Sequence, residues 1–174
     1  GAVLLMDDGF QHKPVRKHLC LLLDPPNPGN RFLLPAGPYR QPRSHRSRAD
    51  AVLPEDFPME LHPPTYLDAE GHEVHPPHGQ AIQMLTAIAR PWRFQHTLER
   101  AGLEVKNGLA LPDHDPLTQP GLLASFDAQL PIFTTEKDWV KLRERSDLGA
   151  ASIIRVRQNL AFRDRTQVEQ WLLR

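Results

Sequence analysis

Ala2-Val3-Leu4-Leu5-Met6-Asp7-Asp8-Gly9-Phe10-Gln11-His12 opens with an unbroken apolar run that ends in two adjacent carboxylates. A strand apolar at every position, rather than at alternate ones, is buried on both faces of a parallel sheet. Such a sheet needs neighbouring strands and covering helices. The stretch therefore predicts an α/β fold in which a central strand delivers acid groups to its carboxyl end. A fold that starts on its central strand is completed either by later strands or by a preceding portion of a longer protein, and the second is expected here.

The 174 residues fit one domain of ordinary size, long enough to bury roughly 70% of the unfolded surface. With 21 basic and 21 acidic residues the formal charge is zero, so the overall balance does not point to nucleic acid. Cys20 is the single cysteine, which excludes an internal disulfide and a cysteine-based zinc knuckle; inside Leu19-Cys20-Leu21-Leu22-Leu23 it reads as a small buried hydrophobe. No apolar run approaches the ~20 residues that span a bilayer.

Outward from the opening stretch, Leu19 to Leu23 and Ala49 to Leu53 read as further short strands, the first closed by Asp24. Most of the 18 prolines fall between Asp24 and Pro77, which disfavours long helices there. Glu60 to Val74 reads as a hairpin turning at Glu70-Gly71. Regular alternation then returns. Ala81 to Ala89 is a strand, and Pro91 at a first-turn position opens a helix through Arg100 that Gly102 stops. Strands are predicted at Leu109 to Leu111, Pro131 to Thr135 and Ile153 to Val156. Helices are predicted at Thr118 to Ala128, Trp139 to Arg145 and Thr166 to Leu173. Strand–helix alternation implies a parallel sheet covered on both faces. The organisation expected is a rear core portion over 1–53, a proline-rich hairpin and linker over 54–80, and a carboxyl-terminal β/α subdomain over 81–174.

In phosphoryl transfer the protein mainly positions groups and neutralises charge, so a carboxylate at a strand's carboxyl end holds Mg²⁺ directly or through water. Asp7 stands at such a position. Asp8 can accept a proton or support the metal's waters, and Gln11 and His12 on the next turn can bond phosphate oxygens. The competing reading is that Asp7-Asp8 caps the next helix and His12 is a solvated turn residue.

Asp7-Asp8-Gly9-Phe10-Gln11-His12 resembles the signature of the tetraacyldisaccharide 4′-kinase (lipid A 4′-kinase) family, and further segments match in order. Gly29-Asn30-Arg31, Leu34-Pro35-Ala36-Gly37-Pro38 and Arg40-Gln41-Pro42 are similar to that family's Gly-Asn, Leu-Pro-Ala-Gly-Pro and Arg-x-Pro segment. Ala87-Ile88-Ala89-Arg90-Pro91, Pro112-Asp113-His114 and Thr134-Thr135-Glu136-Lys137-Asp138 carry the match through the remaining chain. There are two local departures: Arg16-Lys17 stands where an Arg-Asp pair is usual, and the glycine-rich piece before Arg90-Pro91 is changed. A larger departure is that no glycine is followed by lysine, whereas the family carries a G-x-x-x-x-G-K-[ST] phosphate loop near its amino terminus. The chain is therefore expected to be the carboxyl-terminal portion of a P-loop-kinase-like enzyme, binding ATP weakly and turning over negligibly by itself.

The resemblance implies transfer of the ATP γ-phosphoryl group to the 4′-hydroxyl of a tetraacylated glucosamine disaccharide 1-phosphate, with Mg²⁺. It assigns Asp7 and Asp8 to metal and nucleotide, with Gln11 and His12 lining the same pocket. His114 supports an acceptor-activating aspartate supplied by the preceding portion of the enzyme, while Glu136 and Lys137 serve the nucleotide. Asn30, Arg31 and Arg40 bind substrate. Without the resemblance His114 reads as a polar loop residue, and Glu136 with Lys137 as an ion pair at a helix start. Arg31, Arg40, Arg43, Arg46 and Arg48 with His45 form the dense basic tract, suited to a substrate phosphate or to anionic lipid heads, or simply a solvated loop. The location implied is peripheral, on the cytoplasmic face of the bacterial inner membrane. The partners implied are the lipid substrate, that membrane surface and the amino-terminal half of the same enzyme.

His62, His72, His75 and His78 have a regular spacing that suggests zinc, but prolines interleave them and no cysteine joins. Trp92, Trp139 and Trp171 on predicted helices read as core anchors. A second function class is a metal-dependent phosphohydrolase using Asp7, Asp8, His12, Asp113, His114 and Asp115. A third is a non-catalytic binding module.

Overall fold

The structure, a computed structural model, describes residues 2–149 and 151–173. It is an α/β protein whose chain divides into two compact units, Gly1–Leu61 with Leu160–Arg174, and His62–Asn159.

In the first unit β1 (Leu21–Leu23) lies parallel to β2 (Ala51–Leu53), with Leu22 opposite Val52. The pair is extended at both ends by the backbone: Asp50 N–H donates to Cys20 O (2.9 Å) and Asp24 N–H to Leu53 O (3.0 Å). β2 is buried throughout, whereas Leu23 of β1 is exposed and Cys20 half-buried. Met59, Phe162 and Trp171 close over Ala51, Leu53, Phe57 and Val168. Phe57 meets Phe162 edge-on at 6.4 Å and Trp171 at 5.1 Å. The helix α3 (Arg165–Leu172) starts where Asp164 accepts the Gln167 N–H, an ordinary N-cap. The run Ala2 to Met6, expected to be a buried strand, is not one: Val3, Leu4 and Leu5 are each more than 80% exposed. Among the described residues no strand pairs with it, and an apolar run forms a strand only where a neighbour takes its N–H and C=O groups.

The second unit is built on a six-stranded sheet in the order β4-β3-β8-β7-β5-β6. β5 (Ala81–Thr86), β6 (Glu104–Ala110), β7 (Ile132–Thr135) and β8 (Ile153–Phe162) form its parallel part. β3 (Met59–Leu67) and β4 (Glu73–Val74) make the expected antiparallel hairpin, with Asp68 Oδ1 accepting the N–H groups of Gly71 and His72 in its turn. Alternation along β5 covers both faces. Ile82 and Met84 pack with Phe94, Leu98 and Phe133, while Leu85 and Ala87 pack with Trp139, Leu142 and Ile153.

The helix α1 (Pro91–Arg100) has the expected bounds. Phe94 and Leu98 are one turn apart on its buried face, and Gly102 at φ +84° ends it, with Leu103 N–H returning to Leu98 O. The second helix, α2 (Glu136–Leu142), starts earlier than expected because Thr135 caps it through Asp138 N–H. No helix forms over Thr118 to Ala128; the segment is a series of turns. Pro120 and Gly121 at φ +69° interrupt it. Buried Gln83 binds its far end, donating to Asp127 O and Leu130 O and accepting from Asp127 N–H (2.7 Å). A side chain that holds both backbone senses of a loop competes directly with helix. Trp92, expected in the core, is 63% exposed. It falls beside the buried stripe of α1, under the guanidinium of Arg93 (5.2 Å). No helix among the described residues is long and apolar enough to cross a membrane.

Candidate functional site

Because β5, β6 and β7 are parallel, the segments that leave their carboxyl ends gather at one edge of the sheet, where ligands bind in open α/β folds. Those segments are Thr86-Ala87, Leu111 to His114, and Thr135 to Asp138. Asp138 is the fully buried anchor: its Oδ2 accepts from Thr86 Oγ1 (2.9 Å), Ala87 N–H (3.0 Å) and Thr135 Oγ1 (2.9 Å). That carboxylate ties the end of β5 to the start of α2. Lys141 Nζ, 3.5 Å from Asp138 Oδ1, donates to Asp115 O (2.7 Å) and so draws in the loop after β6.

On this frame Lys137 Nζ donates to Asp113 Oδ1 (3.1 Å), and His114 Nε2 lies 3.6 Å from Asp113 Oδ2. The hydrogen bond from Lys137 holds the Asp113 carboxyl below its usual range, with the charges of His114 and Lys137 adding to it. His114 has a positive φ of 64°, donates its N–H to Ala87 O (3.3 Å), and turns its ring to solvent. Glu136 accepts from Arg157 at Nε (3.1 Å) and Nη2 (2.9 Å). An open cleft of about 390 Å³ runs along the edge, lined by Glu136, Lys137, Thr135, Arg93 and Thr97 over the apolar floor of Phe94. His114, Glu136 and Lys137, separate in the sequence, thus share one edge, and the cleft brings in Arg93, to which the sequence assigned no role.

The remaining candidates lie in the first unit. Asp8, at φ +49°, accepts from Arg40 Nη1 at 2.7 Å, which joins a metal candidate to a substrate candidate. Asp7 is exposed beside it. His12 N–H donates to Gly9 O (3.1 Å), closing a tight turn at buried Gly9, and Lys17 Nζ donates to His12 O. Gln11 is half-buried, and its Oε1 has no hydrogen-bond partner among the described residues. The amide of Asn30 serves its own loop: Oδ1 accepts from Phe32 N–H (2.8 Å) and Nδ2 donates to Ala36 O (3.0 Å). Arg31 is exposed on that loop. Arg48 stacks over Phe10 (5.1 Å) and donates to Gln41 Oε1, which His45 Nδ1 also approaches (3.2 Å).

The site feature in this unit that the sequence did not mark is Asp24. Only 5% exposed, it accepts from Tyr39 Oη (2.8 Å) and Arg43 Nε (2.9 Å), and Arg46 stands 4.0 Å away. An acid closing an apolar strand was visible, but partners 15 and 19 residues on carry no local signature. The four histidines are not brought together. Among the described residues the acid–histidine group close enough for a common ion is Asp68, Glu70 and His72 in the hairpin turn.

The family model described as Tetraacyldisaccharide-1-P 4′-kinase matches residues 2–174. Curated proteins named Tetraacyldisaccharide 4′-kinase include one from Anaeromyxobacter sp. (strain K), 36% identical, over 88% of this chain and 50% of its own length. Another, from Nitrobacter hamburgensis, is 30% identical over 99% of this chain and 58% of its own. The chain spans about half the length of the curated relatives it matches. In fold it is similar to LpxK from Aquifex aeolicus, solved in complex with ATP. The TM-score is 0.71 at 22% identity, over 95% of this chain and 55% of that one.

Proposed function

The chain belongs to the Tetraacyldisaccharide-1-P 4′-kinase family, and on that premise we propose that it forms about half of an enzyme that phosphorylates a lipid A precursor. The reaction moves the γ-phosphoryl group of ATP to the 4′-hydroxyl of a tetraacylated glucosamine disaccharide 1-phosphate. The observation that carries this reading is the family match over residues 2–174. The ATP complex of the structurally similar Aquifex protein supports the nucleotide.

Asp7 and Asp8 fit Mg²⁺ by donor type, since this ion takes hard oxygens and is commonly bound through one or two carboxylates plus substrate phosphates. They would hold it, and Arg40 Nη1 contacts one Asp8 oxygen at 2.7 Å. When bound, the ion supplies charge neutralisation at the transferring phosphoryl group. Gln11 and His12 line the same pocket. The exposed guanidinium groups of Arg31 and Arg40 take substrate phosphate, and Asn30 holds the loop that presents them. At the sheet edge Lys137 and Glu136 serve the nucleotide, and His114, kept near Asp113, supports the group that activates the acceptor hydroxyl. The phosphate-cradling loop comes from the rest of a longer polypeptide, and the assembled enzyme works at the cytoplasmic face of the inner membrane, peripherally, where its lipid substrate lies.

The phosphohydrolase alternative gains no support, because its second cluster is committed elsewhere. Asp113 is held by Lys137, and Asp115 by Gln119 and the Leu117 N–H. The test is a radiolabelled-ATP assay with tetraacyldisaccharide 1-phosphate. The chain alone should turn over negligibly, and the chain joined to the amino-terminal half of the Anaeromyxobacter relative should phosphorylate the 4′-position. Turnover of a generic phosphate ester without ATP by the chain alone would overturn the reading.

A further inference from the structure

Arg40 is exposed, sits on a loop, and reaches Asp8 at 2.7 Å with both side chains more than 60% solvent-accessible. An exposed ion pair of this kind is weak and does not fix its own geometry. What fixes it lies underneath. Tyr39, the residue before Arg40, donates its hydroxyl to Asp24 Oδ1 (2.8 Å). Arg43, three residues after, donates Nε to Asp24 Oδ2 (2.9 Å), and its Nη2 stands 2.8 Å from the same oxygen while donating to Pro25 O (3.0 Å). The same carboxylate therefore holds both flanks of Arg40. It is itself seated at the carboxyl end of β1 by its backbone N–H on Leu53 O (3.0 Å). Loss of solvent around the Tyr39 hydroxyl, together with its bond to Asp24, pushes that group's pKa above its ordinary value, as expected of a donor held against a carboxylate.

The geometry points to Asp24 as a positioning residue that sets the Arg40–Asp8 contact from below, although it touches neither side chain. The inference rests on the reading of Asp8 and Arg40 as metal and substrate groups for its functional meaning, but not for its first test. A buried carboxylate bonded by two donors is far more rigid than a surface pair, since leaving either donor unmatched carries a desolvation cost. The clamp restricts the backbone of residues 39–43, and that restriction, rather than the ion pair, selects the direction of Arg40.

The first test uses this chain alone. Guanidinium resonances from ¹³C,¹⁵N-arginine labelling are assigned to Arg40 by their loss in Arg40→Lys. Asp8→Asn should shift them, reporting the contact. Asp24→Asn, which keeps the volume and removes the charge, should shift them in the same direction. Tyr39→Phe, which deletes one donor and preserves the ring, should produce a smaller shift and supplies the answer if Asp24→Asn does not fold. An unmoved Arg40 signal in a folded Asp24→Asn or Tyr39→Phe chain overturns the inference.

The second test uses the kinase joined to its amino-terminal half. Asp24→Asn should lower kcat about 10-fold or more with KM for ATP changed less than twofold, and should cost less than twofold further in an Arg40→Ala background. Equal losses in both backgrounds would make Asp24 merely structural and overturn the positioning role. Absence of kinase activity in the unmutated protein would overturn the functional reading while leaving the resonance result to stand or fall separately.

Discussion

Replacing Asp138 by alanine should destabilise the second unit more than any surface change at the same edge. Its Oδ2 takes hydrogen bonds from two threonine hydroxyls and from the Ala87 amide, all within 3.0 Å, at a position with no solvent exposure. A net hydrogen bond contributes about 1 kcal/mol, and a buried donor left without a partner costs about 1–3 kcal/mol. The threonine hydroxyls can rotate to other acceptors, but the Ala87 N–H cannot. Asp138→Ala should therefore cost about 3–5 kcal/mol, or roughly 10 °C in melting temperature for a chain of this length. Asp138→Asn can keep an oxygen at the Oδ2 position for the Ala87 N–H and both threonine hydroxyls, while its amide group takes the Oδ1 position beside Lys141, so about 1–2 kcal/mol is expected. The assay is urea unfolding followed by circular dichroism and tryptophan fluorescence, comparing midpoints at unchanged m. An alanine variant that loses less than about 1 kcal/mol, or costs no more than the asparagine one, would refute the accounting.

Trp92→Ala should change stability by no more than about 0.5 kcal/mol, as for other exposed positions, because Trp92 is 63% exposed. Trp139→Ala, at a residue 8% exposed, should cost about 3–5 kcal/mol; equal melting temperatures for the two variants would contradict the assigned core. Gly102→Ala should lose about 1–2 kcal/mol from its φ of +84° alone. A further loss arises because the new Cβ would meet the His78 ring, at 2.5 Å from Nε2. His78→Ala should recover that second part only, as read by calorimetry. The carboxyls of Asp113, Asp115 and Asp147 are held low chiefly by hydrogen bonds from Lys137, Gln119 and Arg145 respectively. With folded values below unfolded ones, their stabilisation is complete above about pH 4 and is lost as pH falls through the depressed values. Urea midpoints measured from neutral to acid pH should fall in that lower window, and Lys137→Met should flatten the fall; a midpoint indifferent to Lys137 would exclude this origin.

Elements whose causes lie within a few residues were legible in advance. The hairpin turning at Glu70-Gly71 follows from a local glycine turn, and α1 follows from Pro91 at its start, an apolar stripe of Phe94 and Leu98, and Gly102 at its end. The motif residues His114, Glu136 and Lys137 were likewise visible as types in order, and the parallel strands bring them to one edge. Where a distant partner decides, local reading failed. Thr118 to Ala128 has helix-forming leucines, yet Gln83, 44 residues away, takes the Asp127 backbone and the segment becomes turns. Ala2 to Met6 has strand composition, but among the described residues no ladder receives it.

By itself, then, the amino-acid order determined the α/β class, the caps and turns, and the inventory of acids, histidines and arginines matched to a kinase family. Tertiary structure alone decided which carboxylates are structural anchors. Asp138 finds Thr86 52 residues away, and Asp24 finds Tyr39 and Arg43 across a proline-rich loop. The reason is physical: periodicity and capping act over one or two turns of chain, whereas burial of a carboxylate requires donors that only the folded backbone can bring together.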